Sequence, residues 1–200
     1  RLGELRTVTG ASWQQDIGLA CTLMKYSDDN PALLFDEIPG HKKGFRVLAG
    51  IFGGKRKNMT LGFPVTLDKV ALSEAWAEIY SHDAHALIPP VYVDDGPVFE
   101  NVITGDDVNI LDFPSPLWHE DDGGRYLGTG CYDVTRDPDD GWLNLGSYRI
   151  MVIDEKHVGY NTAPGKHGRI HLEKHAARGE KLPVVMVVGG DPMAFLMGGY

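Results

Sequence analysis

Between residues 126 and 161, three short runs with strand character, 126–134, 142–153 and 158–161, are separated by turn clusters. Those turns are Asp137-Pro138-Asp139-Asp140-Gly141 and Asp154-Glu155-Lys156. Runs of this length, joined by acidic turns, pair with their neighbours as antiparallel hairpins. This part of the chain is therefore expected to form a meander that begins a barrel-like unit. The residues that follow supply elements to lay against it. A helix is expected over 167–178, closed by Gly179. A buried strand is expected at 182–188, then a last helix with Asp191 as its cap and Pro192 in its first turn.

The sequence ahead of residue 110 has a different rhythm. Ser12 and Gln15 form a capping-box pattern. Behind it Trp13, Ile17, Ala20, Cys21 and Met24 recur at helical spacing. Residues 32–35 and 45–48 read as strands. Gly53-Gly54-Lys55-Arg56-Lys57-Asn58 is a glycine turn with a basic cluster, either solvated or contacting an anion or partner. Thr66 can cap a second helix whose apolar face is Leu67, Val70, Ala71, Ala75 and Ile79. Residues 91–93 and 98–102 look like strands, and 111–118 like an extended connector. The expected organisation is an α/β (α+β) domain over 1–110, followed by the first part of a β-barrel-like domain over 111–200.

Composition narrows the function. The 200 residues are 42% apolar and 24% charged, as in folded domains, and the net charge of -9 repels a phosphate backbone. Nucleic acid is therefore not an expected partner. No run approaches the roughly 20 apolar residues of a membrane helix, and the first residues lack the pattern of a signal peptide. The cytoplasm is the expected location. Cys21 and Cys131 are far apart, without a CxxC pair, and read as small apolar residues.

Three clusters could carry chemistry. In the first, Trp142-Leu143-Asn144-Leu145-Gly146-Ser147-Tyr148-Arg149, Gly146 suggests a bulge or a ligand close to the backbone. A bulge there would let Asn144 and Arg149 converge; without one, they lie on opposite faces of an ordinary strand. The second, Pro164-Gly165-Lys166-His167-Gly168-Arg169-Ile170-His171, is a glycine-flanked turn opening a helix, where free N–H groups can meet a phosphate. His171 and His175 follow His167 at spacings of four, but without an HExxH pattern they are expected on a solvated face. The third is Gly189-Gly190-Asp191-Pro192 with Gly198-Gly199, where glycines permit close approach to an anion.

Taken in order, these clusters resemble the UbiD family of prenylated-FMN-dependent carboxy-lyases. The run Asn144-Leu145-Gly146-Ser147-Tyr148-Arg149, then Pro164 to His171, then Val187-Val188-Gly189-Gly190-Asp191-Pro192 carry the likeness. Gly3-Glu4-Leu5, Pro31-Ala32-Leu33-Leu34-Phe35, Gly44-Phe45-Arg46-Val47-Leu48 and Gly123-Gly124-Arg125-Tyr126-Leu127-Gly128-Thr129-Gly130 extend it upstream. The resemblance implies a split β-barrel flavin domain over 111–200, binding prenylated FMN with Mn2+ (or Mg2+) and K+. Asn144 and His167 would be metal ligands, and the backbone at Ser147 and Tyr148 a flavin contact. Lys166 would lie beside the cofactor and Gly198 and Gly199 near its phosphate. Arg149 would be the catalytic arginine that holds the substrate carboxylate.

The implied reaction is reversible, non-oxidative decarboxylation through a prenylated-FMN adduct. Its substrate would be a small aromatic acid, with a lean toward hydroxybenzoates, or an α,β-unsaturated one, and CO2 a product. In the family, the third metal ligand and both catalytic glutamates fall beyond the position of Tyr200. The chain is therefore expected to be a fragment with little turnover alone, from a protein that is a homo-oligomer at full length. Two alternatives stand beside this reading: a non-catalytic FMN-binding split-barrel module, and an assembly subunit.

Overall fold

In a computed structural model of the chain, the structure describes residues 2–27, 29–81 and 88–199. The first region is an α/β unit. Strand β1 (Leu5–Thr9) is followed by helix α1 (Asp16–Lys25), then by strands β2 (Ala32–Asp36) and β3 (Val47–Ala49). β2 lies in the middle, parallel to β1 and antiparallel to β3. Leu33 and Phe35 of β2 pack with Ala11, Ile17 and Ile38, and Trp13, Met24 and Trp118 close over them. Burying apolar side chains of this size is the main stabilising term available to such a unit.

Local details correct the sequence reading. The expected capping box does not form. Gln14 N–H bonds to Ser12 Oγ, and Asp16, not Gln15, reaches back to the Ser12 N–H at 2.8 Å. The basic turn contains a short helix, α2 (Arg56–Thr60). Arg56 is neither solvated nor free for a partner: its guanidinium donates to Glu4 Oε2 at 2.7 Å, Asn30 O at 2.7 Å and Gly50 O at 3.0 Å. Helix α3 (Lys69–Ser81) is capped by Asp68, whose Oδ1 accepts the N–H groups of Val70 and Ala71, so Thr66 is not the cap. Its buried residue is Leu72, while Val70 and Ile79 are exposed. A carboxylate outcompetes a hydroxyl for the first-turn N–H groups.

Residues 91–93 and 98–102 are not strands. A short 3-10 turn (Pro97–Phe99) is the regular element there, and Ile88, Val91, Tyr92, Val98 and Val102 are all strongly exposed. Proline at 89, 90 and 97 removes the N–H donors a ladder needs. The connector then threads back to the first region. Leu117 N–H bonds to Trp13 O, and Arg125 stacks 3.8 Å from the Trp13 ring centroid.

The expected meander is replaced by two three-stranded sheets. Strands β4 (Arg125–Gly128), β5 (Tyr132–Arg136), β6 (Leu143–Gly146), β7 (Ile150–Val152) and β8 (Val158–Tyr160) are followed by helix α4 (His167–Ala177), strand β9 (Val184–Val187) and helix α5 (Pro192–Met197). One sheet has the order β4-β7-β8 and the other β6-β5-β9, all antiparallel. The run 142–153 therefore changes sheets, and residues 147–149 make the corner. Gly179 ends α4 with a φ of 72° and Asp191 caps α5, both as expected. Among the described residues, no helix is long and apolar enough to cross a membrane.

Candidate functional site

The site grows from the inward face of β5 and β6. Side chains alternate along a strand. In β5 the buried positions are Asp133 and Thr135, and in β6 they are Asn144 and Gly146. The register pairs Asp133 with Gly146 and Thr135 with Asn144, so these residues share one face. α4 covers that face. His171 of α4 is 1% exposed, and its Nδ1 lies 2.9 Å from Thr135 Oγ1. Nε2 lies 3.6 Å from the Asp137 carboxylate, a contact that favours a proton on that nitrogen. Burial lowers the His171 pKa, partly opposed by the charge of Asp137. The solvated face expected for His171 is thus overturned, and His175 is also mostly covered, with Nδ1 3.2 Å from Glu180.

Trp142, in phase with Asn144, sets its ring edge-on to both His167 (4.9 Å) and His171 (5.6 Å). Asn144 is buried and its Nδ2 has no hydrogen-bond partner. His167 is exposed at the start of α4. These two expected metal ligands therefore come from elements that pack on each other. Among the described residues, no three His, Cys, Asp or Glu side chains gather in a group that could hold a metal ion.

Tyr148 organises the corner between the sheets. The β5–β6 register runs through Gly146 without a bulge, and the space beside Gly146 is taken by the Tyr148 ring. A side chain there would run into the Tyr148 ring, and one at Gly168 would meet the same ring at 3.0 Å. The Tyr148 hydroxyl accepts the Gly168 N–H at 3.2 Å, so part of the helix start expected to receive phosphate is occupied by the protein itself. Tyr148 N–H donates to Asp133 Oδ2 at 3.2 Å, and Cys131 Sγ donates to Tyr148 O at 3.0 Å. Ser147 is equally engaged: its N–H bonds to Gly198 O at 2.9 Å and its Oγ to Phe195 O at 3.0 Å. Gly198 gives close approach to Ser147, Gly190 to Tyr132, and Gly199 N–H closes the end of α5 on Leu196 O.

Beside this corner opens a cavity of about 650 Å³, within the range of small-molecule sites. Its wall includes Tyr126, Tyr148 and Tyr160, with Ser147, Arg149 and Lys166. Four of the expected site residues thus meet there, while Asn144 and His167 lie outside the wall. Arg149 reaches the cavity from the corner, without the strand bulge considered for it. The Tyr148 and Tyr160 rings meet edge to face at 5.5 Å.

Behind the wall sits a residue that the sequence reading passed over. Asp133 is fully buried with Oδ1 unpartnered, and burial lifts its carboxyl to about 6 against the opposing bond from Tyr148. The Tyr160 hydroxyl is also buried without a partner, and its pKa is raised by burial and then by the Asp133 charge. Burial, reinforced by Asp133, lifts the Cys131 thiol to about 11, consistent with an inert packing role. The available signal was a charged residue at an inward position of the run Tyr132-Asp133-Val134-Thr135-Arg136.

Comparison with known proteins gives this geometry a lineage. The family model for the 3-octaprenyl-4-hydroxybenzoate carboxy-lyase Rift-related domain (UbiD) matches residues 91–200, and that for the corresponding N-terminal domain matches residues 1–76. The pyrrole-2-carboxylic acid decarboxylase of Pseudomonas aeruginosa is 33% identical over 211 residues, covering 100% of this chain and 41% of the relative. Among solved structures, the closed form of Sedimentibacter hydroxybenzoicus vanillic acid decarboxylase superposes with a TM-score of 0.87 at 27% identity, over 98% of this chain and 42% of that one. An evolved dimeric form of the UbiD-class enzyme HmfF from Pelotomaculum thermopropionicum, in complex with prFMN, superposes at 0.78 with 25% identity, over 95% and 42%. The chain spans about two fifths of the length of the curated relatives it matches. With both of its regions matched in order, the chain belongs to the UbiD family.

Proposed function

We propose that this chain forms the flavin-holding part of a carboxy-lyase that removes CO2, reversibly and without net oxidation, from a small aromatic or α,β-unsaturated carboxylic acid. The carrying observation is the cavity walled by three tyrosines together with Arg149 and Lys166. It suits a planar aromatic group joined to an anion, and both prenylated FMN and the acid substrate have that character. Residues 1–110 act as the α/β domain and 111–200 as the first part of the split barrel.

Prenylated FMN, when bound, supplies an electrophilic carbon and an electron sink for the electrons left by departing CO2. The chain's own residues position and exclude. Arg149 receives the substrate carboxylate through paired, charge-assisted hydrogen bonds and is the catalytic residue of this part. Lys166 balances negative charge beside it. The tyrosine rings keep water from the reacting atoms. Ser147, Tyr148, Gly198 and Gly199 shape the cofactor wall. Asn144 and His167 offer an amide oxygen and an imidazole to Mn2+ or Mg2+, with K+ nearby, and a complete ligand set requires donors beyond this pair.

Gel filtration with prenylated FMN, Mn2+ and K+, following flavin absorbance across the protein peak, tests the reading. Co-elution is expected, reduced in Asn144→Ala and His167→Ala only when metal is present, and retained in Arg149→Ala. Equal retention in the first two variants removes the metal assignment, and loss in the third makes Arg149 a cofactor anchor instead of the carboxylate holder. The exposed apolar residues around 88–102 favour a second reading, a part that works within a larger assembly. The same column reports that as elution at a multiple of the chain's mass.

A further inference from the structure

Asp133 is a buried carboxylate that the proposed reaction leaves unused. A carboxylate with no exposed surface and one oxygen unpartnered is costly to bury, and its other oxygen makes one bond that offsets part of that cost. That bond goes to the N–H of Tyr148, the residue immediately before Arg149. Two positions earlier, on the same side of the strand, Cys131 Sγ holds the Tyr148 carbonyl at 3.0 Å. The backbone of Tyr148 is thus held on both its polar sides, by β5 and by the residue just before it. Its ring fills the space left by Gly146 and Gly168, and its hydroxyl takes the Gly168 N–H. One residue therefore ties the corner carrying Arg149 to the start of α4, two residues beyond Lys166.

We infer that Asp133 is a positioning residue: through the Tyr148 N–H it fixes the Ser147–Tyr148 peptide, next to the Tyr148–Arg149 peptide that Cys131 holds, and, by way of the Tyr148 hydroxyl, the placement of Arg149 relative to Lys166 in the cavity wall. A charge-assisted bond to a backbone N–H is stronger than a neutral one, which suits a corner whose flanking strands belong to different sheets. The functional side of this inference rests on the flavin reading given above. Its structural side does not.

The experiment separates the two. Hydrogen exchange of individual amides is measured on the free chain and on Asp133→Ala and Asp133→Asn, together with FMN titration followed by flavin fluorescence. Loss of a charge-assisted bond predicts about ten- to a hundredfold faster exchange at the Tyr148 and Gly168 amides in Asp133→Ala. Ala32 to Asp36 of β2 should exchange as in the parent chain, and Asp133→Asn, which keeps an acceptor oxygen, should restore protection. FMN affinity should fall several-fold in Asp133→Ala and recover in Asp133→Asn. Unchanged exchange at Tyr148, or acceleration spread evenly through β2, overturns the inference. So does local acceleration with unaltered FMN affinity. A parent chain that binds no FMN refutes the flavin reading, and the amide data then decide the clamp alone.

Discussion

β2 and β5 are each the middle strand of a three-stranded sheet, yet they bury opposite chemistry. β2 turns Leu33 and Phe35 into its core and buries Ala32 on its other face, all under 8% exposed. β5 buries Asp133 and Thr135, faces them with Asn144, and closes over them with His171. Its apolar side chains, Tyr132 and Val134, point the other way and are only partly covered. An apolar core tolerates small adjustments, because dispersion and apolar burial have no direction. A polar core does not, because each group must find its partner. The region around β2 is thus built to hold the chain together, and the region around β5 to hold particular atoms in place.

The largest expected effect lies on the apolar side. Phe35→Ala, at a fully buried position, should lower stability by about 3–5 kcal/mol in urea unfolding. A loss below about 1 kcal/mol would mean that β2 does not carry the core.

The next effect is one of pH. With the Asp133 carboxyl raised from 3.8 to about 6, the folded chain keeps a proton that the unfolded chain has already released in that window. The native state then binds more protons, so this group's contribution to stability falls as pH rises from about 4 to about 6. The full difference is about 3 kcal/mol at most. Asp133→Asn should lack this decline, which thermal melts at pH 4 and pH 7 would detect. Parallel profiles for the two proteins would place the charge nearer solvent than its burial indicates.

A smaller effect follows from Thr135→Val, which keeps the shape and removes the partner of His171 Nδ1. A loss of about 1–3 kcal/mol is expected, with Thr135→Ser recovering most of it. Equal loss in both would make the site a matter of packing, as in β2, and dissolve the contrast. Smallest is Lys174→Ala. Lys174 spans Asp137 at 2.6 Å and Asp139 at 2.8 Å, and those bonds hold the Asp137 carboxyl below the usual range. At 37% exposure the ion pairs are screened, so only a slight loss of stability is expected, and less again in high salt.

The same contrast decides what could be read from the sequence. Helical spacing placed Ile17 in the core, the strand at residues 32–35 was visible as an apolar run, and Gly179 and Asp191-Pro192 marked helix ends correctly. Such signals are local. The two sheets were not legible, because residues 142–153 form one continuous strand-like run, and only tertiary pairing shows that residues 147–149 turn it from one sheet to the other. In the candidate site, Ser147, Tyr148, Arg149 and Lys166 were named from motif order, and the structure gathers them around one cavity. Asp133 goes unnoticed in the sequence and His171 is expected on a solvated face for a common reason. Each looks like a surface residue in its own segment, and only the partner supplied by another element, Tyr148 or Thr135, makes burial tolerable. Arg56 escaped in the same way, since Glu4, its ion-pair partner, lies 52 residues away.

The ring of Tyr148 between Gly146 and Gly168 also has a consequence for how sequences in this lineage can vary. The three positions share one fixed volume. A chain with a small residue at 148 lacks the ring that meets a side chain at 146 or 168, whereas an aromatic at 148 runs into one at 146 and crowds one at 168. Substitutions there should therefore travel as a linked set. A methyl group gained at 146 alone would be rejected by the tyrosine, and the same methyl group together with a shortened 148 would be accepted as a trade of volume.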